Sequence, residues 1–150
     1  IQTVKRISYE LRPAVLDDLG LSESLAWLLR DFTRRTGIKH TLTVAPKQVE
    51  CGKDVTTTLF RITQESLTNV MRHAKASRVE VGLVQSGNGL TLIIRDDGIG
   101  IAVEKIKDGS SLGIIGMRER LYSGGGSLTI NGNAGQGTVI TVEIPLRENG

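Results

Sequence analysis

A chain of 150 residues with 39% hydrophobic and 23% charged side chains can bury roughly two thirds of its unfolded surface, and its composition argues against disorder. Aromatics are only 3%, so the core is aliphatic and stacking platforms for bases are not expected. The net charge of +3 divides as +4 over residues 1–75 and −1 over residues 76–150, with no block of like charge, which speaks against a nucleic-acid footprint. The single cysteine, Cys51, cannot form an internal disulfide and suits a reducing compartment. No apolar run approaches the ~18 residues of a membrane span.

Taken in chain order, residues 3–12 read as a short helix stopped by Pro13, which cannot continue it. Ser22 is a plausible N-cap for a helix with Leu25, Leu28, Leu29 and Phe32 at helical spacing, and Gly37 supplies the stop. Ile38 to Val44 alternates in part and reads as a strand. Asp54 can cap a long helix to about Lys75, with Val55, Leu59, Ile62, Ser66 and Val70 on its buried face. Residues 78–84 and 90–95 alternate around Ser86-Gly87-Asn88-Gly89, a hairpin signal. Residues 127–131 and 138–144 form a second alternating pair. Between the hairpins, Asp96 to Tyr122 is a long glycine-rich connection that leads into a short helix. Long connections inside a compact domain tend to carry function. This order favours an α+β fold, with helices layered on one face of a mixed or largely antiparallel sheet.

Eighteen glycines exceed the average of about 7%, and eleven of them lie between Gly98 and Gly137. Three groups of residues could carry chemistry. Glu65, Asn69 and His73 stand at i, i+4 and i+8, and each step of four turns a helix by about 400°. With Arg72 they form one strip of carboxylate, amide, imidazole and guanidinium, which suits a Mg–phosphate complex. A solvated helix face would look the same. Asp96-Asp97-Gly98-Ile99-Gly100 puts a carboxylate at a strand end, where it can accept a hydrogen bond from an exocyclic amine such as that of adenine. An ordinary Asp-Gly turn is the alternative. Gly113 and Gly116 precede a helix whose free N–H groups could face phosphate, and Gly135-Gln136-Gly137-Thr138 reads either as a hairpin turn or as a hydroxyl placed near phosphate. His40 reads as structural, and Cys51 lacks partners for zinc. Neither a P-loop nor a Gly-x-Gly-x-x-Gly fingerprint is present.

In combination these stretches resemble a known family. Gln64-Glu65-Ser66-Leu67-Thr68-Asn69-Val70-Met71-Arg72-His73-Ala74 is similar to the N box of histidine kinase ATPase domains. Asp96-Asp97-Gly98-Ile99-Gly100 is similar to their Asp-x-Gly-x-Gly box. Leu112 to Arg120 resembles the second glycine box, and Gly135-Gln136-Gly137-Thr138 the terminal Gly-x-Gly-Thr. Leu11-Arg12-Pro13 with Leu16-Asp17-Asp18-Leu19-Gly20-Leu21 resembles the leading segment of the nitrate-sensor, hexose-phosphate-sensor and desaturase-thermosensor subfamily of two-component kinases.

The resemblance implies a two-layer Bergerat-type sandwich, a mixed sheet with helices on one face and ATP beneath a mobile lid. It implies that Asn69 ligates Mg²⁺ and that Glu65, one turn earlier, is the catalytic carboxylate that orders water or acts as a base. Arg72 takes the place of the usual N-box lysine and would contact phosphate, with His73 beside it. Asp96 would hold the adenine amine, with Asp97 at the variable position. Gly98, Gly100 and Ile101 would line the nucleotide, Gly113 and Gly116 would hinge the lid, and Thr138 would complete the base pocket. No phenylalanine lies between Gly100 and Gly113, so the F box of many histidine kinases is missing and the lid is short.

The function implied is transfer of the ATP γ-phosphoryl group to a histidine on a separate dimerisation module, for relay to a response regulator aspartate. Neither His40 nor His73 suits the role of acceptor. Residues 1–15 would then be the remnant of the dimerisation helix and its connector, and residues 16–150 the ATP-binding domain. A cytoplasmic location and a homodimeric parent are expected, with this chain monomeric. Competing readings are an ATP-hydrolysing conformational switch in which Glu65 activates water, a non-catalytic interaction domain with vestigial boxes, and a serine-protein kinase related to anti-sigma factors.

Overall fold

The computed structural model describes residues 20–46, 49, 51–99, 112–133 and 136–146. The expected helix over 3–12, the leading Leu-Arg-Pro segment and the lid residues up to 111 lie outside these. Helix α1 covers residues 20–36. Leu21, Leu25, Leu28, Leu29 and Phe32 make its buried stripe. Ser22 is therefore not the cap: the helix already runs at residue 20, because Leu21 belongs to the stripe and is buried with it. The stop is as expected. Gly37 takes φ +78° and donates its N–H to the Thr33 carbonyl at 2.8 Å, a glycine-terminated helix end.

Strand β1 (Lys39–Ala45) follows at once. The Thr33 hydroxyl donates to the Ile38 carbonyl at 2.6 Å and also meets His40 Nδ1 at 2.6 Å. A hydroxyl has one proton, so His40 supplies the other as an Nδ1–H donor. His40 is thus a joint between α1 and β1, which accounts for it structurally.

Helix α2 (Lys53–Asn69) has Gly52 as its N-cap and no side-chain cap bond. Asp54, expected as the cap, lies inside the first turn. The Thr56 N–H already reaches the Gly52 carbonyl at 2.9 Å, so helical bonding begins before Asp54, whose charge instead complements the helix dipole. Leu59, Phe60, Ile62 and Leu67 are buried, as are Thr63 and Ser66. The last two satisfy their hydroxyls on the Leu59 and Ile62 carbonyls, at 2.9 and 2.7 Å. The helix does reach the neighbourhood of Lys75, but Val70–Ala74 is a π turn. Lys75 then adopts φ +50°.

Strands β2 (Arg78–Ser86) and β3 (Gly89–Asp96) form a hairpin over Gly87-Asn88. Helix α3 (Leu112–Ser123) leads to the second hairpin, β4 (Ser127–Asn133) and β5 (Gly137–Pro145). The sheet order is β1-β2-β3-β5-β4. β1 runs parallel to β2 and the other pairs are antiparallel. Alternation buries Val79, Val81 and Leu83 of β2, Leu90, Leu92 and Ile94 of β3, and Ile140, Val142 and Ile144 of β5. These join the buried stripes of α1 and α2 and Leu121 of α3 in one core. Arg78, Glu80, Val84, Arg95 and Glu143 occupy the exposed side of the sheet. The fold is the expected α+β arrangement, a mixed sheet with helices on one face.

Candidate nucleotide site

The chain leaves β3 at Asp96 and returns to the sheet only at its edge, as β4, so β5 lies between them. The end of β3 therefore faces the start of β5, about forty residues away in sequence. Asp96 is 7% exposed, the only charged residue among the buried polar ones described. Its Oδ1 accepts the Gly98 N–H at 2.8 Å, and the Thr138 N–H also donates to its carboxylate. Burial pushes the Asp96 carboxyl above the ordinary carboxylate range. The Gly98 and Thr138 N–H groups pull it back, and the neighbouring Asp97 charge pushes it further up. Thr138 itself is buried at the start of β5, and Gly98 is buried as well.

Gly137 is what permits this approach. It takes φ +89°, and a Cβ there would overlap the Asp96 carbonyl oxygen and lie 2.8 Å from its carbon and 3.2 Å from the Asp97 Cα. Only glycine fits both the conformation and the contact. The motif Gly135-Gln136-Gly137-Thr138 carried this signal, but reasoning from sequence singled out Thr138 alone.

Asp97 is the second residue that sequence reasoning passed over. Its Oδ1 accepts the N–H groups of Ser77 at 2.8 Å and Arg78 at 3.0 Å, and its Oδ2 accepts the Ser77 hydroxyl at 2.5 Å. The Asp97 N–H in turn reaches the Arg78 carbonyl at 3.3 Å. The Ser77 hydroxyl, followed by the Arg78 N–H, holds this carboxyl below the usual range although it is exposed.

The N-box residues take different places. Asn69 is 7% exposed, and its Nδ2 is buried without a hydrogen-bond partner among the described residues. A buried unpartnered amide calls for an explanation, a bound group being one. Glu65, a turn earlier, is half-buried. Arg72 is exposed and lines a groove of about 290 Å³ with Asp31, Arg35 and Gln64, on the α1 side of α2. His73 falls in the π turn, its side chain outside the described residues, as are Gly100 and Ile101 entirely. Gly113 and Gly116 lie within α3, not in a loop before it. A helix tolerates an isolated glycine for about 1 kcal/mol. Further along α3, Arg118 has a buried Nε with no partner among the described residues. The structure thus joins Asp96, Gly98 and Thr138 directly.

The model of the family described as "Histidine kinase-, DNA gyrase B-, and HSP90-like ATPase" matches residues 54–148. The chain belongs to this ATPase family. Both its sequence and its fold are similar to those of histidine kinases. It is 38% identical over 143 residues to the signal transduction histidine-protein kinase/phosphatase DegS of Brevibacillus brevis, covering 95% of this chain and 37% of that protein. It is 30% identical over 148 residues to the oxygen sensor histidine kinase NreB of Staphylococcus carnosus, covering 99% of this chain and 43% of that one. The chain therefore spans well under half the length of these curated relatives. Among solved structures, the histidine kinase domain of the Erythrobacter litoralis EL346 blue-light activated kinase superposes with a TM-score of 0.66 at 25% identity, over 84% of this chain and 61% of that one. The Acinetobacter baumannii kinase AdeS shares the fold, with a TM-score of 0.68 at 15% identity over 98% of this chain and 80% of that one. The ATPase family implies that this domain binds ATP. No described helix is long and apolar enough to cross a membrane.

Proposed function

We propose that this chain is the catalytic, ATP-binding part of a two-component sensor kinase, which transfers the γ-phosphoryl group of ATP to a histidine nitrogen on a separate dimerisation module. The observation that carries the reading is the buried Asp96 carboxylate, anchored at the end of β3 by the Gly98 and Thr138 N–H groups. A carboxylate held this way keeps acceptor capacity for the 6-amine of adenine, whereas guanine in the same orientation presents a carbonyl oxygen there, an acceptor that the carboxylate repels.

Phosphoryl transfer depends chiefly on positioning and charge neutralisation. Asn69, with Glu65 one turn away, fits a Mg²⁺–phosphate site: its amide oxygen would ligate the metal and its buried Nδ2, without a partner among the described residues, would donate to phosphate, beside a half-buried carboxylate. When bound, Mg²⁺ would neutralise phosphate charge there. Glu65 would order water or accept a proton, Arg72 and His73 would face phosphate, Gly100 and Ile101 would line the base, and Gly113 and Gly116 would border the lid. The phosphoryl group would pass on to a response regulator aspartate. The reaction belongs on the cytoplasmic side, in a homodimeric parent, with residues 1–15 as remnant of the dimerisation helix and connector and residues 16–150 as the catalytic domain.

The test is incubation with γ-labelled ATP and Mg²⁺. The chain alone should remain unlabelled and should label its parent's dimerisation module on a histidine when the two are mixed. Acid-labile label on the chain itself, or multiple-turnover hydrolysis abolished by Glu65→Ala, would overturn this assignment.

A further inference from the structure

Nothing above gives Asp97 a part in the reaction. Among the described residues its side-chain hydrogen bonds all run to the residues that follow the π turn. The Ser77 N–H, the Ser77 hydroxyl and the Arg78 N–H converge on its two carboxylate oxygens at 2.8, 2.5 and 3.0 Å. Ser77 is itself anchored, since its carbonyl accepts the Lys39 N–H of β1 at 3.1 Å. On its other side Asp97 is covalently joined to Asp96 and Gly98, the acceptor and donor of the 2.8 Å bond that orients the Asp96 carboxylate. One side chain thus ties the segment emerging from the N-box helix to the turn that holds the base-reading carboxylate.

We infer that Asp97 is a positioning residue of the nucleotide site: its hydrogen-bonded latch to Ser77 and Arg78 sets the Asp96–Gly98 turn, and through it the adenine selectivity of Asp96. This rests on the reading of Asp96 given under the proposed function. The latch acts by hydrogen-bond geometry. An asparagine at position 97 preserves it, because Oδ1 still accepts both N–H groups and Nδ2 can donate to the Ser77 hydroxyl oxygen. Alanine removes all three bonds. The neighbouring charges are Arg78 at the start of β2 and Lys39 at the start of β1, which line the same groove as Asp97, and Asp96 at the end of β3. Among the described residues none forms an ion pair with Asp97.

The experiment measures dissociation constants of the Mg²⁺ complexes of nonhydrolysable ATP and GTP analogues for the wild-type chain, Asp97→Ala, Asp97→Asn and Ser77→Ala, with thermal melts alongside. Asp97→Ala should weaken the adenine analogue about tenfold, the scale of lost charge-assisted hydrogen bonds, and should leave the guanine analogue unchanged, so that base selectivity falls. Asp97→Asn should restore affinity to within about twofold of wild type. Ser77→Ala, which removes one arm, should shift selectivity in the same direction by a smaller factor. It decides the matter if Asp97→Ala does not fold. Equal affinity and selectivity in wild type and Asp97→Ala overturn the latch. A loss in Asp97→Asn as large as in Asp97→Ala also overturns it, since charge and not geometry would then matter. Absence of nucleotide binding by the wild type overturns the Asp96 reading itself, a separable result.

Discussion

Gly137→Ala isolates the contact on which the candidate site is built. The backbone there has φ +89°, and placing an L side chain in the left-handed region costs about 1–2 kcal/mol. The added Cβ would also overlap the Asp96 carbonyl oxygen and sit 2.8 Å from the carbonyl carbon. Both are backbone atoms, so no rotamer change relieves the clash. The start of β5 must move away from the end of β3, breaking ladder hydrogen bonds worth about 1 kcal/mol each net. Together these effects set the loss at about 3–5 kcal/mol, in the upper tail for single substitutions. For a chain of this length that is a drop in Tm of about 10–15 °C. Urea or thermal unfolding followed by circular dichroism measures it, with nucleotide affinity on the folded fraction. Gly82→Ala is the control, because a Cβ at that strand position meets nothing within 4 Å and the φ is ordinary; it should be neutral or slightly stabilising. A loss of less than about 1 kcal/mol in Gly137→Ala would refute the reasoning.

Asn69→Ala should abolish Mg²⁺-dependent nucleotide affinity while leaving the unfolding midpoint unchanged or raised, since it removes a buried amide whose Nδ2 has no partner among the described residues; a large fall in stability would contradict this. Asp96 and Asp97 should give opposite pH signatures. The Asp96 carboxyl is raised by burial, so its stabilising contribution is complete below the unfolded pKa and is lost as pH rises through the folded one. The stability of Asp96→Asn minus that of wild type should therefore grow from pH 3 to 7. The Asp97 carboxyl is lowered by its hydrogen bonds, so its contribution is present above the unfolded pKa and lost as pH falls through the folded value. The corresponding difference for Asp97→Asn should shrink over the same range, and urea titrations at several pH values compare the two slopes. Leu92→Ala, at a fully buried position in the central strand β3, should cost about 2–5 kcal/mol without changing ATP/GTP selectivity. A selectivity change would mean that the core and the site are coupled.

Local periodicity was enough for the elements. The stripe of Leu25, Leu28, Leu29 and Phe32 and the alternation in β2, β3 and β5 report which face each element buries, because burial repeats with the geometry of the element itself. Where local signals competed, the wider pattern won. Ser22 looked like a cap, but burying Leu21 starts α1 earlier. Gly113 and Gly116 looked like a hinge, but α3 absorbs both. The π turn at Val70–Ala74 left no mark, since a shift of one hydrogen-bond partner leaves the residue pattern of a helix intact.

The order of the boxes in the sequence already identified the ATPase family and singled out Asp96, Asn69 and Thr138. What no local pattern contained was the strand order. Inserting β5 between β3 and β4 sets Gly137 against Asp96 and makes glycine obligatory there. Pairing β2 with β3 brings Ser77 and Arg78 to Asp97 across twenty residues. Contacts between strands depend on which edges meet and in what register. The tertiary structure settles that through the burial of one common core, whereas a sequence window reports only the faces each strand offers.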